Sequence, residues 1–137
     1  MADAIPHNHV PLSGTGGSLL PLEGEDYELL PRTPETPAGA DFCILMQGDS
    51  MEPWIPDGGI VYVRRNLPLR EFDAGAFFVD GEVICRQWCM DFQDTVYLLS
   101  ANPDRRDEAL VIPRDSGRIC VCLGRVLLPG QLPEPLY

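Results

Sequence analysis

The sequence predicts an all-β domain preceded by an extended N-terminal arm. From residue 41 onwards, short runs rich in β-branched and aromatic residues alternate with turn-forming residues, a pattern typical of all-β folds. No apolar stripe with the helical period extends over a useful length. We therefore expect compact, twisted, partly barrel-like antiparallel sheets over residues 41–137, and a flexible linker arm over residues 1–40.

The arm is predicted from its composition. Residues 1–40 are rich in proline, glycine and acids, as in "PLSGTGGS" and "PRTPETPAG". Such segments favour extended or irregular chain over packed elements. Within the arm, only "YELL" at Tyr27–Leu30 has the composition of a short strand.

Seven strands are predicted after the arm, separated by turns in which proline fixes φ, glycine accepts positive φ, and Asp or Asn bonds its own backbone. The turns are "PDGG", "VDGE", "ANPD" and "RDSG". "FFVDGEVIC" indicates a two-residue Asp-Gly hairpin. The strands are expected within "DFCILMQ" (41–47), "GIVYVRR" (59–65), "GAFFVD" (75–80), "EVICRQW" (82–88), "DTVYLLS" (94–100), "ALVI" (109–112) and "RICVCLGRVLL" (118–128).

Alternation along a strand assigns side chains to faces. In "EVICRQW", Val83, Cys85 and Gln87 face one way, and Ile84, Arg86 and Trp88 face the other. In "RICVCLG", Ile119, Val121 and Leu123 likewise oppose the two cysteines. Arg86 therefore shares a face with two large apolar groups. A cation there either extends past Trp88 to water or is held by something specific.

Five cysteines, Cys43, Cys85, Cys89, Cys120 and Cys122, occur without a secretion signal. An odd count in such a chain argues against a disulfide framework. The C-x3-C and C-x-C pairs have the ligand number of a four-sulfur zinc site, but both lie in strand-like apolar runs where cysteine is a common core residue. We expect buried cysteines, no metal and no cofactor.

The charge distribution disfavours nucleic acid. The net charge is −11, and residues 1–60 hold ten acids against one base, Arg32. A polyanion is repelled by such a surface. No apolar run approaches the length of a membrane helix and no signal peptide is recognisable, so we expect a cytoplasmic protein. All ten cations are arginine; the chain contains no lysine.

Ser50, in "GDSM", raises the question of a nucleophile. A serine hydroxyl needs a base within hydrogen-bond reach to become reactive. The histidines, His7 and His9, lie in the arm, so a Ser-His-Asp triad would have to recruit one of them. A Ser-Lys dyad needs a lysine, which is absent. The alternative is a purely structural role, in which the Ser50 side chain caps a turn.

The serial order of several motifs nevertheless resembles the LexA-type family of self-cleaving repressors, especially phage and prophage repressor C-terminal domains. The motifs are "GDSMEPWIPDGGIVYVRR", "FFVDGEVICRQW", "VYLLSANPD" and "CLGRVLL", and the resemblance covers about Ser13 to Leu128. It implies a LexA-like C-terminal fold and a serine peptidase that cleaves itself, in some members as part of the SOS response.

The resemblance assigns roles to individual residues. Ser50 corresponds to the nucleophile, and backbone N–H groups around it, including its own, would form the oxyanion hole. Gly48, Asp49 and Met51 flank it and shape the turn. Arg86 stands where the family has its general-base lysine. A guanidinium has a pKa above 12, so about one part in a million or less is free base at neutral pH.

Two accounts explain Arg86: a naturally dead or impaired member, or an engineered replacement that traps an uncleaved form. We expect the C-terminal regulatory and dimerisation domain of a LexA-like or prophage transcriptional repressor, impaired in self-cleavage. The alternative is an active autopeptidase, LexA- or UmuD-like, that tolerates Arg86 or recruits His9 from a partner's arm. A third possibility is a module that holds a peptide strand in an empty cleft.

The resemblance also implies partners. The chain's own arm would be the intramolecular substrate or cleft ligand, cut at Ser13–Gly14 or, as a second candidate, Gly16–Gly17; a plain linker is the alternative. We expect a homodimer, with "RICVCLGRVLL" and the C-terminal tail as the candidate edge. DNA would be bound only through a helix-turn-helix domain that this sequence lacks, as expected of an excised fragment or a short stand-alone relative.

Overall fold

The computed structural model describes residues 4–8, 27–31, 34, 36–65 and 67–135. These residues form nine strands and one short 3-10 helix, which confirms the all-β class. All seven strands expected after the arm are present, as β3 to β9, and the strand expected at Tyr27–Leu30 is β2. The elements are β1 (Ala4–Asn8), β2 (Tyr27–Pro31), β3 (Phe42–Leu45), β4 (Ile60–Arg64), β5 (Ala74–Val79), β6 (Glu82–Met90), β7 (Val96–Leu99), the helix (Pro103–Glu108), β8 (Leu110–Ile112) and β9 (Cys120–Val126).

Strand β1 was not expected from the sequence. It pairs antiparallel with β2 and parallel with β3, where His7 lies opposite Cys43 and Asn8 opposite Ile44. Pro6 lies within β1, and a proline argues against a strand with two neighbours because it lacks an N–H to donate. The arm thus adds two strands, β1 and β2, at one edge of the sheet.

The strands make one open sheet in the order β2-β1-β3-β4-β9-β5-β6-β7-β8. Every pairing is antiparallel except β1 with β3. Partly barrel-like sheets were expected, but the described strands do not close: β2 and β8 are the edges.

Two apolar clusters lie on opposite faces of β6. Val83 and Cys85 belong to the larger cluster, which also takes side chains from β3, β4, β5 and β9. Ile84 belongs to the smaller cluster, and Trp88 packs against it. The alternation predicted for these residues is confirmed. Arg86, between Cys85 and Gln87, therefore starts from the face of the smaller cluster.

The hairpin between β5 and β6 follows from Asp80 and Gly81. Their φ angles are 49° and 92°, so both central residues adopt the positive φ that a type I′ turn requires. Six residue pairs follow in register, from Val79 opposite Glu82 to Ala74 opposite Gln87. This register places Arg86 opposite Gly75.

Strand β9 joins the two halves of the sheet at Gly124. A register shift between Ala76 and Phe77 of β5 marks a bulge in the pairing with β9, and beyond it Arg125 and Val126 also pair with β4. A Cβ at Gly124 would lie 2.5 Å from the Arg64 carbonyl oxygen. Only glycine allows this close approach of β9 to β4.

A turn was predicted at Ala101–Asp104, but the chain continues from there into the 3-10 helix Pro103–Glu108. Asn102 is its N-cap and Pro103 its first residue, an arrangement that suits both residue types. Among the residues that the structure describes, no helix has the length and apolar character needed to span a membrane.

Candidate active site

Ser50 lies in the long connection between β3 and β4 and is 1% exposed. The ends of this connection are tied together: Met46 N–H donates to Gly59 O at 2.8 Å and Gly58 N–H donates to Met46 O at 2.9 Å. Inside it, Glu52 N–H donates to Asp49 O at 3.1 Å and Ile55 N–H donates to Met51 O at 2.9 Å. Ser50 therefore sits in a tightly bonded turn rather than an open loop.

The residues flanking Ser50 shape this turn. Gly48 has a φ of 95°, a conformation that favours glycine, and its N–H donates to Asp57 Oδ1 at 2.9 Å. That N–H is thus used inside the turn. Met51 is fully buried in the larger apolar cluster, so its side chain anchors the turn to the core.

The segment after β7 holds the backbone of the Ser50 turn. The Ser50 carbonyl oxygen accepts hydrogen bonds from Ser100 Oγ and from Asn102 N–H, the latter at 2.9 Å. Asn102 Nδ2 donates to the carbonyl oxygen of Asp49 at 2.8 Å. Because the Ser50 carbonyl oxygen accepts from both Ser100 and Asn102, the backbone next to the Ser50 side chain has a defined orientation.

Asp49 is bound by a bidentate arginine. Arg105 Nε donates to Asp49 Oδ1 at 2.9 Å and Nη2 donates to Oδ2 at 3.1 Å. This hydrogen bonding lowers the pKa of Asp49 below its usual value, helped by the charge of Arg105, against a smaller opposing effect of desolvation. The paired geometry fixes the side chain that precedes Ser50.

Arg86 is buried on β6, with a residue exposure of 5%. Its Nη1 donates to the carbonyl oxygen of Cys85 at 2.9 Å, and its Nη2 lies 3.8 Å from Glu108 Oε2. The guanidinium therefore turns toward the 3-10 helix that follows β7. It does not extend past Trp88 to water, the other possibility left open by the sequence.

The segment Ser100–Glu108 connects Ser50 to Arg86. Its first residue donates to the Ser50 carbonyl and its last contacts the Arg86 guanidinium. In the antiparallel pairing of β6 with β7, Gln87 lies opposite Leu99, so Ser100 directly follows the end of β7 and Arg86 is the neighbouring residue on β6. Ser50 and Arg86 thus approach the same nine-residue segment, Ser100–Glu108, from two different elements.

A groove runs beside this segment. Its lining includes Trp54, Ser100, Gln87 and, on the far side, Pro133 and Pro135 of the C-terminal tail. Gln87 is 2% exposed, and its Nε2 donates to the carbonyl oxygens of Phe72 and Pro133, at 3.0 and 2.9 Å. The tail is therefore fixed across β6, one residue from Arg86.

Other predicted site residues are placed as follows. Ser13, Gly14, Gly16, Gly17 and His9 lie outside the described residues. Cys43 and Cys85 are buried as expected, but Cys89 and Cys120 are only half-buried and Cys122 is exposed. Strand β4 does not extend along the part of β9 that carries Cys120 and Cys122. In the described part of the chain, no three His, Cys, Asp or Glu side chains are close enough together to hold a metal ion.

Sequence reasoning missed Ser100, Asn102, Arg105 and Glu108. The "NPD" triplet carried a local signal, since Asn followed by Pro is typical of an N-cap and first helical residue. The contacts of Ser100 and Glu108 carried no local signal, because each joins residues far apart in the chain.

Burial raises the pKa of the Cys85 thiol to about 12, which keeps this neighbour of Arg86 neutral.

Comparison with known proteins agrees with the motifs. A family model described as Peptidase S24-like matches residues 13–126, which is 114 of the 137 residues. The match includes both Ser50 and Arg86. A search of the curated proteins found no match. On the strength of the family model, the chain belongs to the Peptidase S24-like family.

Proposed function

We propose that this chain is the C-terminal regulatory and dimerisation domain of a LexA-like or prophage transcriptional repressor, located in the cytoplasm and impaired in self-cleavage. The single observation that carries the proposal is the burial of Arg86, at the position that the sequence resemblance matches to the general-base lysine of the family. The chain keeps the serine and the turn around it, but it contains no lysine that could accept the serine proton.

The chemistry explains the impairment. Attack by Ser50 Oγ on a peptide carbonyl requires that its proton pass to a base. Burial can lower the pKa of a lysine enough to supply a neutral amine near pH 7, whereas a guanidinium stays charged and only donates hydrogen bonds. The contacts of Arg86 with the Cys85 carbonyl and with Glu108 both stabilise the charged form.

The alternative is an active autopeptidase that cuts its own arm. Incubation of the purified chain at alkaline pH, followed by mass spectrometry of the products, distinguishes the two functions. We expect the chain to stay intact. Fragments beginning at Gly14 that disappear in the Ser50→Ala variant would establish the active enzyme and contradict the proposal.

A homodimer is part of the proposal, and the free edge of β9 supports it. Among the described strands, β4 pairs with β9 only at Val126 and Arg125, so the first half of β9 has a described neighbour on one side, β5. Val121 in this half is 45% exposed, and Ile119, just before β9, is 63% exposed. An exposed apolar edge can pair with its copy across a two-fold axis.

Light scattering tests the dimer. We expect the mass of two chains at micromolar concentration, and the mass of one chain after Val121→Asp, because a carboxylate at a paired edge is buried without a partner. A monomeric wild-type protein at high micromolar concentration would contradict this part of the proposal.

A further inference from the structure

Arg86 carries its charge into a nearly closed environment. Its side chain is 6% exposed, whereas that of Glu108, which lies 3.8 Å away, is 39% exposed. Desolvation disfavours an ion unless a counter-charge and hydrogen-bond acceptors compensate it. Glu108 supplies the counter-charge from the last residue of the 3-10 helix, and the Cys85 carbonyl supplies an acceptor at 2.9 Å.

Among the residues that the structure describes, Glu108 is a close counter-charge of Arg86, with Oε2 at 3.8 Å from Nη2. Strand β5 presents Gly75 opposite Arg86, and Asp49 is bound by Arg105. The described charged or titratable side chains on elements around this position include Cys85 on β6, Tyr97 on β7, Asp49 in the Ser50 turn, Asp104, Arg105, Arg106, Asp107 and Glu108 on the helix, and Glu134 on the tail.

From these contacts we propose that Glu108 is a positioning residue that fixes the charge at position 86. The inference rests on the proposed function and deepens it. Position 86 stays charged because a guanidinium is strongly basic and because the Glu108 carboxylate lies beside it. A lysine at position 86 would therefore also be stabilised as an ammonium ion, because an opposite charge within about 4–6 Å shifts a pKa by about 1–3 units toward the charged form.

The first test compares the pH profiles of self-cleavage of R86K and R86K/E108Q. Removing the carboxylate lowers the pKa of the lysine, and each unit gives tenfold more neutral amine at a given pH below that pKa. We expect the pH at which the cleavage rate rises to be lower in R86K/E108Q than in R86K by at least about one unit. At pH 7.5 the double variant is then expected to cleave about tenfold faster or more.

Two matched controls accompany this comparison. R86K/D107N removes the same charge one residue away, on the same helix and, like Glu108, close enough to Arg105 to act on it electrostatically, and we expect the profile of R86K. R86K/E108Q/S50A should not cleave at any pH, which ties the products to Ser50. Superimposable profiles for R86K and R86K/E108Q would overturn the proposal.

A stability cycle separates this inference from the proposed function. Urea unfolding of wild type, E108Q, R86M and R86M/E108Q measures the coupling between the two side chains without any cleavage. When Arg86 is present, we expect E108Q to raise the unfolding equilibrium constant about fivefold or more. A change of this size lies between the effect typical of an exposed ion pair and that of a buried ion pair. With methionine at position 86, the expected change is less than about twofold.

The two measurements give distinct outcomes. If neither lysine variant cleaves at any pH, the proposed function fails, since it requires a site that is intact apart from Arg86; the cycle then decides whether Glu108 holds the charge. If the cycle shows no coupling, Glu108 is not the counter-ion of Arg86, and the proposal is wrong even if R86K cleaves.

Discussion

Asn102 offers a sharp test of how the Ser50 turn is held. Its Nδ2 donates to Asp49 O at 2.8 Å, and its Oδ1 accepts from Asp104 N–H at 3.0 Å as the helix N-cap. Asn102→Ala removes both bonds and leaves the backbone N–H that donates to Ser50 O. Loss of an N-cap costs about 1 kcal/mol and loss of a part-buried hydrogen bond about 1 kcal/mol. We expect the free energy of unfolding to fall by about 2 kcal/mol.

Urea unfolding followed by tryptophan fluorescence measures this loss. With a urea dependence of about 1–3 kcal/mol per molar, the midpoint should move down by about 1 M. Asn102→Asp keeps the capping oxygen and loses only the donor, so about half of the effect is expected. Gln93→Ala, at an exposed residue, is the control, with a change below about 0.5 kcal/mol. A midpoint for Asn102→Ala equal to that of the control would refute this reasoning.

Two further predictions concern the fold and the turn. Gly124→Ala should destabilise the protein by about 1–3 kcal/mol, because its Cβ would meet the Arg64 carbonyl oxygen at 2.5 Å. Gly130→Ala, where nothing lies within 4 Å of the added Cβ, is the matched control in thermal unfolding. The lowered pKa of Asp49 means that its pairing with Arg105 stabilises the protein above the ordinary carboxyl pKa of about 4, and that this contribution is lost as the pH falls through the depressed value. Arg105→Gln should therefore make the loss of stability in acid shallower; identical urea midpoints of the two proteins across this pH range would contradict it.

Local chemistry explains what the sequence predicted correctly. The β5–β6 hairpin follows from Asp80 and Gly81, two neighbours that accept positive φ. The strand after it follows from alternation, which also placed Arg86 on the face of Ile84 and Trp88. The presence of Ser50 in a turn follows from the glycine and acid beside it. Each of these features depends on residues adjacent in the chain.

The parts that the sequence did not predict depend on contacts between distant residues. Ser100 lies fifty residues after the carbonyl that it binds, and Glu108 lies 22 residues beyond Arg86. Neither contact changes the local pattern of apolar and polar residues. Strand β1 was missed because Pro6 argues against a strand. The position of β9 between β4 and β5 depends on a close approach to Arg64 at Gly124, which joins distant parts of the chain.

Self-cleavage of the R86K variant tests the central claim most directly. The intact chain is quantified over time at about pH 10, where a lysine of ordinary pKa is partly neutral, beside wild type and R86K/S50A. We predict cleavage of R86K alone, within the arm, with both other proteins intact. An R86K variant that keeps its fold and remains uncleaved, or a wild-type chain that cleaves as fast, would contradict the claim that the charge at Arg86 is what prevents Ser50 from losing its proton.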